Sequence, residues 1–150
     1  MADSINKVGD ERDNVITGGH GDDVLSGYGG HDTIHGGNRH DILNGGAGAD
    51  TLNSGSGQDT LTGGSGADIF ELALDGGADQ ITDFSVSQGD KIRIDTDTRT
   101  EDSLQDLGFS ITGNSNAANI VYQSETILTL TGVSASDMLS ASFDTYFEVV

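Results

Sequence analysis

The 150-residue chain has no cysteine and no proline, and only 5% of it is aromatic. Without cysteine there is no disulfide, no thiolate nucleophile and no thiol ligand for a metal. The absence does not fix a compartment, because disulfide-free proteins occur on both sides of a membrane. Bases are scarce too: six Lys and Arg stand against 25 Asp and Glu, a formal net charge of −19. Such a polyanion is repelled by nucleic acid and by anionic lipid, so neither is expected as a partner. No apolar run approaches the length of about 18 residues that spans a bilayer, which excludes membrane insertion by a helix. The N-terminal stretch MADSINKVGDERDN lacks the apolar segment of an ordinary secretory signal peptide. Few aromatics with a high net charge is also the signature of a disordered chain, so any fold here has to overcome that.

Glycine is abundant, with 23 residues, and it recurs in phase. Read in nines, residues 9–71 divide without gaps into GDERDNVIT, GGHGDDVLS, GYGGHDTIH, GGNRHDILN, GGAGADTLN, SGSGQDTLT and GGSGADIFE. Position 6 of the units reads Asn14, Asp23, Asp32, Asp41, Asp50, Asp59 and Asp68. Position 8 reads Ile16, Leu25, Ile34, Leu43, Leu52, Leu61 and Phe70. A period of nine matches neither a helix nor a continuous strand, so each unit is a turn plus a short strand. Glycines at positions 1, 2 and 4 open backbone angles closed to other residues. The last three residues of each unit are expected to be a strand of about three residues with its middle side chain inward. Two units then make one coil of a flattened parallel helix, and unit n stacks on unit n+2.

That stacking creates an electrostatic problem. It sets Asp32, Asp50 and Asp68 over one another on one edge and Asp23, Asp41 and Asp59 on the other. Two carboxylates about 5 Å apart repel by about 3 kcal/mol at an effective dielectric of about 20. One apolar residue in nine offers little to set against this, so the segment is expected to be unfolded without a counter-ion. Calcium answers this need, because it is hard, takes six to eight oxygens, and accepts carboxylates and backbone carbonyls together. Magnesium holds its waters in a tighter octahedron and suits a carbonyl-rich cage less well.

The units resemble the RTX nonapeptide, Gly-Gly-x-Gly-x-Asp-x-U-x with U large and apolar, a calcium-binding β-helix signature. The match is good over residues 18–71 and poor over 9–17. The resemblance implies ions held between stacked loops by the position-6 acids and by loop carbonyls. Carried onto this chain, the acids are Asp23, Asp32, Asp41, Asp50, Asp59 and Asp68, and the carbonyl donors are Gly19, Gly21, Gly30, Gly37, Gly46, Gly48, Gly55, Gly57, Gly64 and Gly66. It implies about four to six calcium ions. Departures are visible. Asn14 stands at position 6 of a first unit that also lacks the glycine pair, so that unit reads as a weakened cap. Tyr28 and Arg39 replace glycines, and those loops are expected to bind less well. After Glu71, two extra residues precede LDGGADQIT (residues 74–82), a frayed eighth unit that adds Asp79 as a ligand, paired with Asp59, and Ile81 at position 8.

Beyond residue 82 the texture changes. ITDFSVSQGDKIRID reads as two short strands about a Gln-Gly turn. It is similar to the segment that closes RTX rolls in secreted metalloproteases and alginate epimerase modules. Asp83 and Asp90 are candidates for an end site, with a plain turn role the alternative. TEDSLQDLG reads as a short helix capped by Thr100, NIVYQSETILTLTGV as a hairpin, and SASDML as a helical turn capped by Ser134 or Ser136. The expected fold is therefore all-β. Residues 1–8 lead into a parallel β-roll over 9–82, and residues 83–150 form a β-rich cap with one or two short helices.

No enzyme chemistry is legible. There is no HExxH, no glycine elbow about a serine and no phosphate-binding loop. His20, His31, His35 and His40 read as solvent-facing loop residues. The carboxylates are made equivalent by repetition, whereas a catalytic acid and base need unlike environments. The Phe147-Glu148-Val149-Val150 terminus resembles the uncleaved signal of type I secreted RTX proteins; an ordinary last strand is the alternative. The expected role is a monomeric, non-catalytic calcium module of a larger secreted protein, with the type I secretion machinery as partner and an extracellular location. A module binding an acidic polysaccharide such as alginate, or a calcium-bridged adhesin or surface-layer segment, are the other readings.

Overall fold

The computed structural model describes residues 3–74, 76–95, 108–140 and 146–149. Ten strands alternate between two faces: β1 (Asn6–Val8), β2 (Val15–Gly19), β3 (Val24–Gly29), β4 (Thr33–Asn38), β5 (Ile42–Ala47), β6 (Thr51–Ser56), β7 (Thr60–Ser65), β8 (Ile69–Ala73), β9 (Asp79–Ile81) and β10 (Lys91–Asp95). Odd strands pair in parallel as β1-β3-β5-β7-β9, and even strands as β10-β8-β6-β4-β2. Each residue faces the one eighteen further on, as in Leu43↔Leu61 and Ile34↔Leu52. This is the stacking of unit n on unit n+2 that the repeat predicts.

The strands are longer than the repeat suggested. Thr51–Ser56 and its equivalents run six residues, through positions 1 to 3 of the following unit. The glycines there pair in register, Gly37↔Gly55 and Gly46↔Gly64, so the ladder continues through them. Only positions 4 to 6 are left as turn. Each strand therefore turns two positions inward. Position 8 fills the core: Leu25, Ile34, Leu43, Leu52, Leu61 and Phe70 are fully buried. Position 1 also faces in, and there glycine leaves space that a side chain from the turn occupies.

Each end of the roll is closed differently. At the start, β1 sets Lys7 at the register of Leu25, and the Lys7 ammonium reaches across to the Thr17 carbonyl. At the other end the pairing offset grows from 18 residues to 20 at Thr60↔Gln80 and to 22 at Ile69↔Lys91. The two strands expected about a Gln-Gly turn thus lie in opposite sheets, β9 in one and β10 in the other, and do not pair. Phe84 packs between Phe70 and Tyr146 at ring separations of 6.2 and 6.4 Å and plugs this end.

The cap extends both sheets. The strands β11 (Phe109–Gly113), β12 (Ala117–Tyr122) and β13 (Glu125–Thr131) form an antiparallel meander, and β13 lies parallel to β9. The hairpin turn is Gln123-Ser124, both with positive φ (50° and 70°), the twist that two-residue hairpins favour. Helix α1 (Ala135–Ser140) begins at Ser134, whose hydroxyl accepts the Asp137 amide hydrogen. The helix expected over 100–108 falls outside the described residues except for Gly108. The strand β14 (Phe147–Val149) pairs with β10, and Glu148 bridges Lys91 (2.6 Å) and Arg93 (3.1 Å), while Arg93 also meets Glu71. The described residues are thus nearly all β, a parallel roll of five coils with a β-rich cap and one short helix.

Candidate metal centre

The position-6 carboxylates form two ladders, one along each edge of the roll. In each, one carboxylate oxygen accepts the backbone N–H of the position-6 residue in the coil before. On one edge Asp41 takes the amide of Asp23 (2.8 Å), Asp59 that of Asp41 (2.7 Å) and Asp79 that of Asp59 (2.9 Å). On the other, Asp50 takes the amide of Asp32 (2.7 Å), Asp68 that of Asp50 (2.9 Å) and Asp90 that of Asp68 (3.1 Å). The ladders start at Ile5 and Asn14, whose amides bond Asp23 and Asp32. Asn14 itself turns its side-chain oxygen to the Asp10 amide of its own turn, as a cap would.

The second oxygen is the informative one. Asp23, Asp32, Asp41, Asp50, Asp59 and Asp68 are each 1–2% exposed, and the Oδ2 of each has no hydrogen-bond partner. A buried polar atom left bare is costly, and six in register call for a donor that protein groups do not supply. Except for Asp59, whose unit begins with Ser54, each Oδ2 fills the space beside its own position-1 glycine. A Cβ on Gly27, Gly36 or Gly45 would lie 2.1, 2.7 or 2.4 Å from the Oδ2 of Asp32, Asp41 or Asp50. Those glycines are required for room, not for backbone angle.

Carbonyls stack along the same edges, in the strand ends and in the turns. A Cβ on Gly37 or Gly55 would lie 2.2 or 2.1 Å from the carbonyl oxygen of Gly19 or Gly37. Gly64 faces Gly46 in the same way, and Gly66 faces Gly48, which in turn faces Gly30. Gly21 lies over Asp3, and Gly57 over Arg39. Of the ten glycines named from the sequence, Gly21, Gly30, Gly48, Gly57 and Gly66 lie in the turns, and Gly19, Gly37, Gly46, Gly55 and Gly64 lie within the strands that precede them. Tyr28 and Arg39 do not break these columns: both adopt positive φ (82° and 79°) and keep their carbonyls against Gly46 and Gly57. That conformation costs a non-glycine residue about 1 kcal/mol. Arg39→Gly is accordingly expected to raise the calcium-saturated stability by about 1 kcal/mol, read as a higher melting temperature.

Burial raises the pKa of Asp41, Asp50, Asp59 and Asp68, opposed by the amide hydrogen bond and reinforced by the neighbouring carboxylates. The rise is clear for Asp41 and Asp50, reaches about 7 for Asp59 and about 6 for Asp68. Asp79 rises to about 6, again by burial, against the Asp59 amide and the Ser54 hydroxyl.

In the remaining candidates both carboxylate oxygens accept a hydrogen bond from protein. Asp79 Oδ2 accepts the Ser54 hydroxyl (2.9 Å). Asp90 Oδ2 accepts the Ser85 amide (2.8 Å), and Asp83 takes the Gly63 and Gly64 amides (2.9 and 2.8 Å). Asp90, not Asp83, continues the ladder; the wider offset hid this from a strict count of nines. Two of the four histidines cap backbone: His31 Nδ1 accepts the Ala49 amide (2.8 Å) and His40 Nδ1 the Gln58 amide (3.0 Å).

Among the described residues, no three His, Asp or Glu side chains converge. A cation here would have to be one that accepts few carboxylates and many carbonyls. Paired columns of bare carboxylate oxygen and backbone carbonyl fit calcium by that criterion.

Residues 8–38 and 35–70 match the family described as the RTX calcium-binding nonapeptide repeat. No curated protein matches the chain. Among solved structures, the chain is similar to the extracellular lipase LipA from Serratia marcescens, with 24% identity and a TM-score of 0.49 over 97% of this chain and 20% of the lipase. It is also similar to the AlgE6R2 subunit of the Azotobacter vinelandii mannuronan C5-epimerase, with 23% identity and a TM-score of 0.47 over 99% of this chain and 93% of that subunit. The chain therefore spans a fifth of the lipase and nearly all of the epimerase subunit.

Proposed function

From a chain whose residues 8–70 match the RTX calcium-binding nonapeptide repeat, we propose a calcium-gated folding module: the roll is unwound where calcium is scarce and wound where it is millimolar. The observation that carries this reading is the six bare Oδ2 atoms, buried in register beside stacked carbonyls. Bound calcium would supply the positive charge that these oxygens lack. The protein's own contribution is to hold the acids at fixed spacing through the amide bonds and to keep side chains off the turns with glycine. Extracellular sites work at about 10⁻⁴–10⁻³ M, so the module suits a secreted protein that is threaded unfolded and winds up outside. In that role it would serve as the folding and secretion carrier of a longer chain, with the type I machinery as partner. It is read as non-catalytic. Binding of a polyuronate has less support, because Lys91 and Arg93, two of the six bases, are already paired with Glu148 and Glu71.

The test is a calcium titration followed by circular dichroism. Asp50→Ala removes a bare Oδ2 and also strands the Asp32 amide, a loss of about 1–3 kcal/mol from the amide alone. Its folding midpoint should rise about tenfold. Asn14→Ala removes only two exposed bonds to Asp10 within its own turn and should shift the midpoint less than about twofold. Equal midpoints for the two variants would refute the proposal.

A further inference from the structure

We propose that Ser54 and Ser85 end the metal ladder, so that Asp79 and Asp90 belong to the stack but hold no ion. The inference rests on the calcium reading above and assigns where the metal stops. All eight acids share the inter-coil amide bond, and all are nearly inaccessible, with Asp79 and Asp90 each 3% exposed. They divide by the second oxygen alone. Six are bare, whereas Asp79 takes a hydroxyl and Asp90 a backbone amide. A carboxylate oxygen that already has a protein donor has lost most of the reason to recruit a cation.

The sequence marks the switch. Ser54 is the one departure from glycine at position 1 among the seven units. At Gly18, Gly27, Gly36 and Gly45 a Cβ would strike both the turn's own carboxylate and a carbonyl of the next coil; at Gly36, Asp41 Oδ2 and the Ser54 carbonyl would lie at 2.7 and 2.5 Å. Beyond Ser54 the next coil carries the inserted residues, and the columns slip. Gly55 there faces Gly76 and Gly57 faces the adjacent Gly77, so no position-1 glycine overlies Ser54. The slip opens room for a side chain, and the hydroxyl reaches Asp79. On the opposite edge, where the offset is 22 residues, the backbone amide of Ser85 in Asp90's own turn donates to Asp90 Oδ2. The last step of each edge is therefore held by protein donors alone, which puts the limit of the metal-dependent roll at Asp59 and Asp68.

Native mass spectrometry of the full chain in calcium counts the ions. Ser54→Gly, which frees Asp79 Oδ2, should bind one ion more than the parent chain. Asp79→Asn should bind the same number as the parent, and Asp59→Asn fewer. Ser54→Ala drops the hydroxyl while keeping the Cβ and replaces the glycine variant if that one does not fold. Loss of an ion in Asp79→Asn overturns the proposal, as does an unchanged count in a folded Ser54 variant. A parent chain without bound calcium would overturn the underlying calcium reading instead, and that result is visible before any variant is compared.

Discussion

In excess chelator at neutral pH the chain is expected to lose most of its sheet signal in circular dichroism and to regain it when calcium is restored in excess. Six carboxylates at 1–2% exposure each keep one oxygen bare. An ionised, unpaired carboxylate held out of water costs several kcal/mol, and six of them exceed the roughly 5–15 kcal/mol that typically separates a folded domain from its unfolded chain. Protonation is the alternative way to neutralise them, which gives the effect a definite pH dependence. Burial raises Asp59 to about 7 and Asp68 to about 6, well above the usual carboxylate range near about 4. Between those limits the wound chain binds more protons than the unwound one, so the stability of the calcium-free roll falls as pH rises. Chelated chain at about pH 5 should accordingly show more sheet than the same sample at about pH 8. A sheet signal that ignores both chelator and pH would refute the charge-based switch.

The second large effect is steric. Gly48 and Gly19 have nearly the same backbone angle, φ 137° and 143°. An alanine at either is strained by about 1–2 kcal/mol. Their surroundings differ completely: a Cβ on Gly48 would lie 1.7 Å from the Gly30 carbonyl oxygen, whereas one on Gly19 meets nothing within 4 Å. Backbone cannot yield as a side chain would, so Gly48→Ala has to force neighbouring coils apart. In saturating calcium, Gly19→Ala should lower the melting temperature by about 3–6 °C and Gly48→Ala by well over about 10 °C. Similar losses in the two would mean that backbone angle, not the close approach of successive coils, is what glycine provides.

The register of the roll was legible because a strict period needs no knowledge of partners. Once Asp32, Asp50 and Asp68 share a phase, stacking at eighteen residues follows, and Asp79 and Ile81 follow as a frayed continuation. Strand length was less legible: glycine reads as turn, yet Gly46 and Gly64 pair within strands because each faces another glycine. Asp90 lay beyond the reach of phase, since its offset of 22 residues is fixed by how Phe84 and the 85–90 turn pack. The role of Ser54 was hidden for a related reason. Serine for glycine reads as a small departure, and only the slip of the next coil turns its hydroxyl into the partner of Asp79.

The stacking of successive coils also has a mechanical side. From β1 to β9 the chain advances four sheet spacings, about 19 Å along the axis of the roll. The same residues drawn out as an extended chain would reach roughly 240 Å. Winding therefore shortens the segment by about a factor of ten, like thread taken up on a spool. If its two ends are held, the roll can form only by drawing them together, and calcium concentration is then converted into tension along the polypeptide.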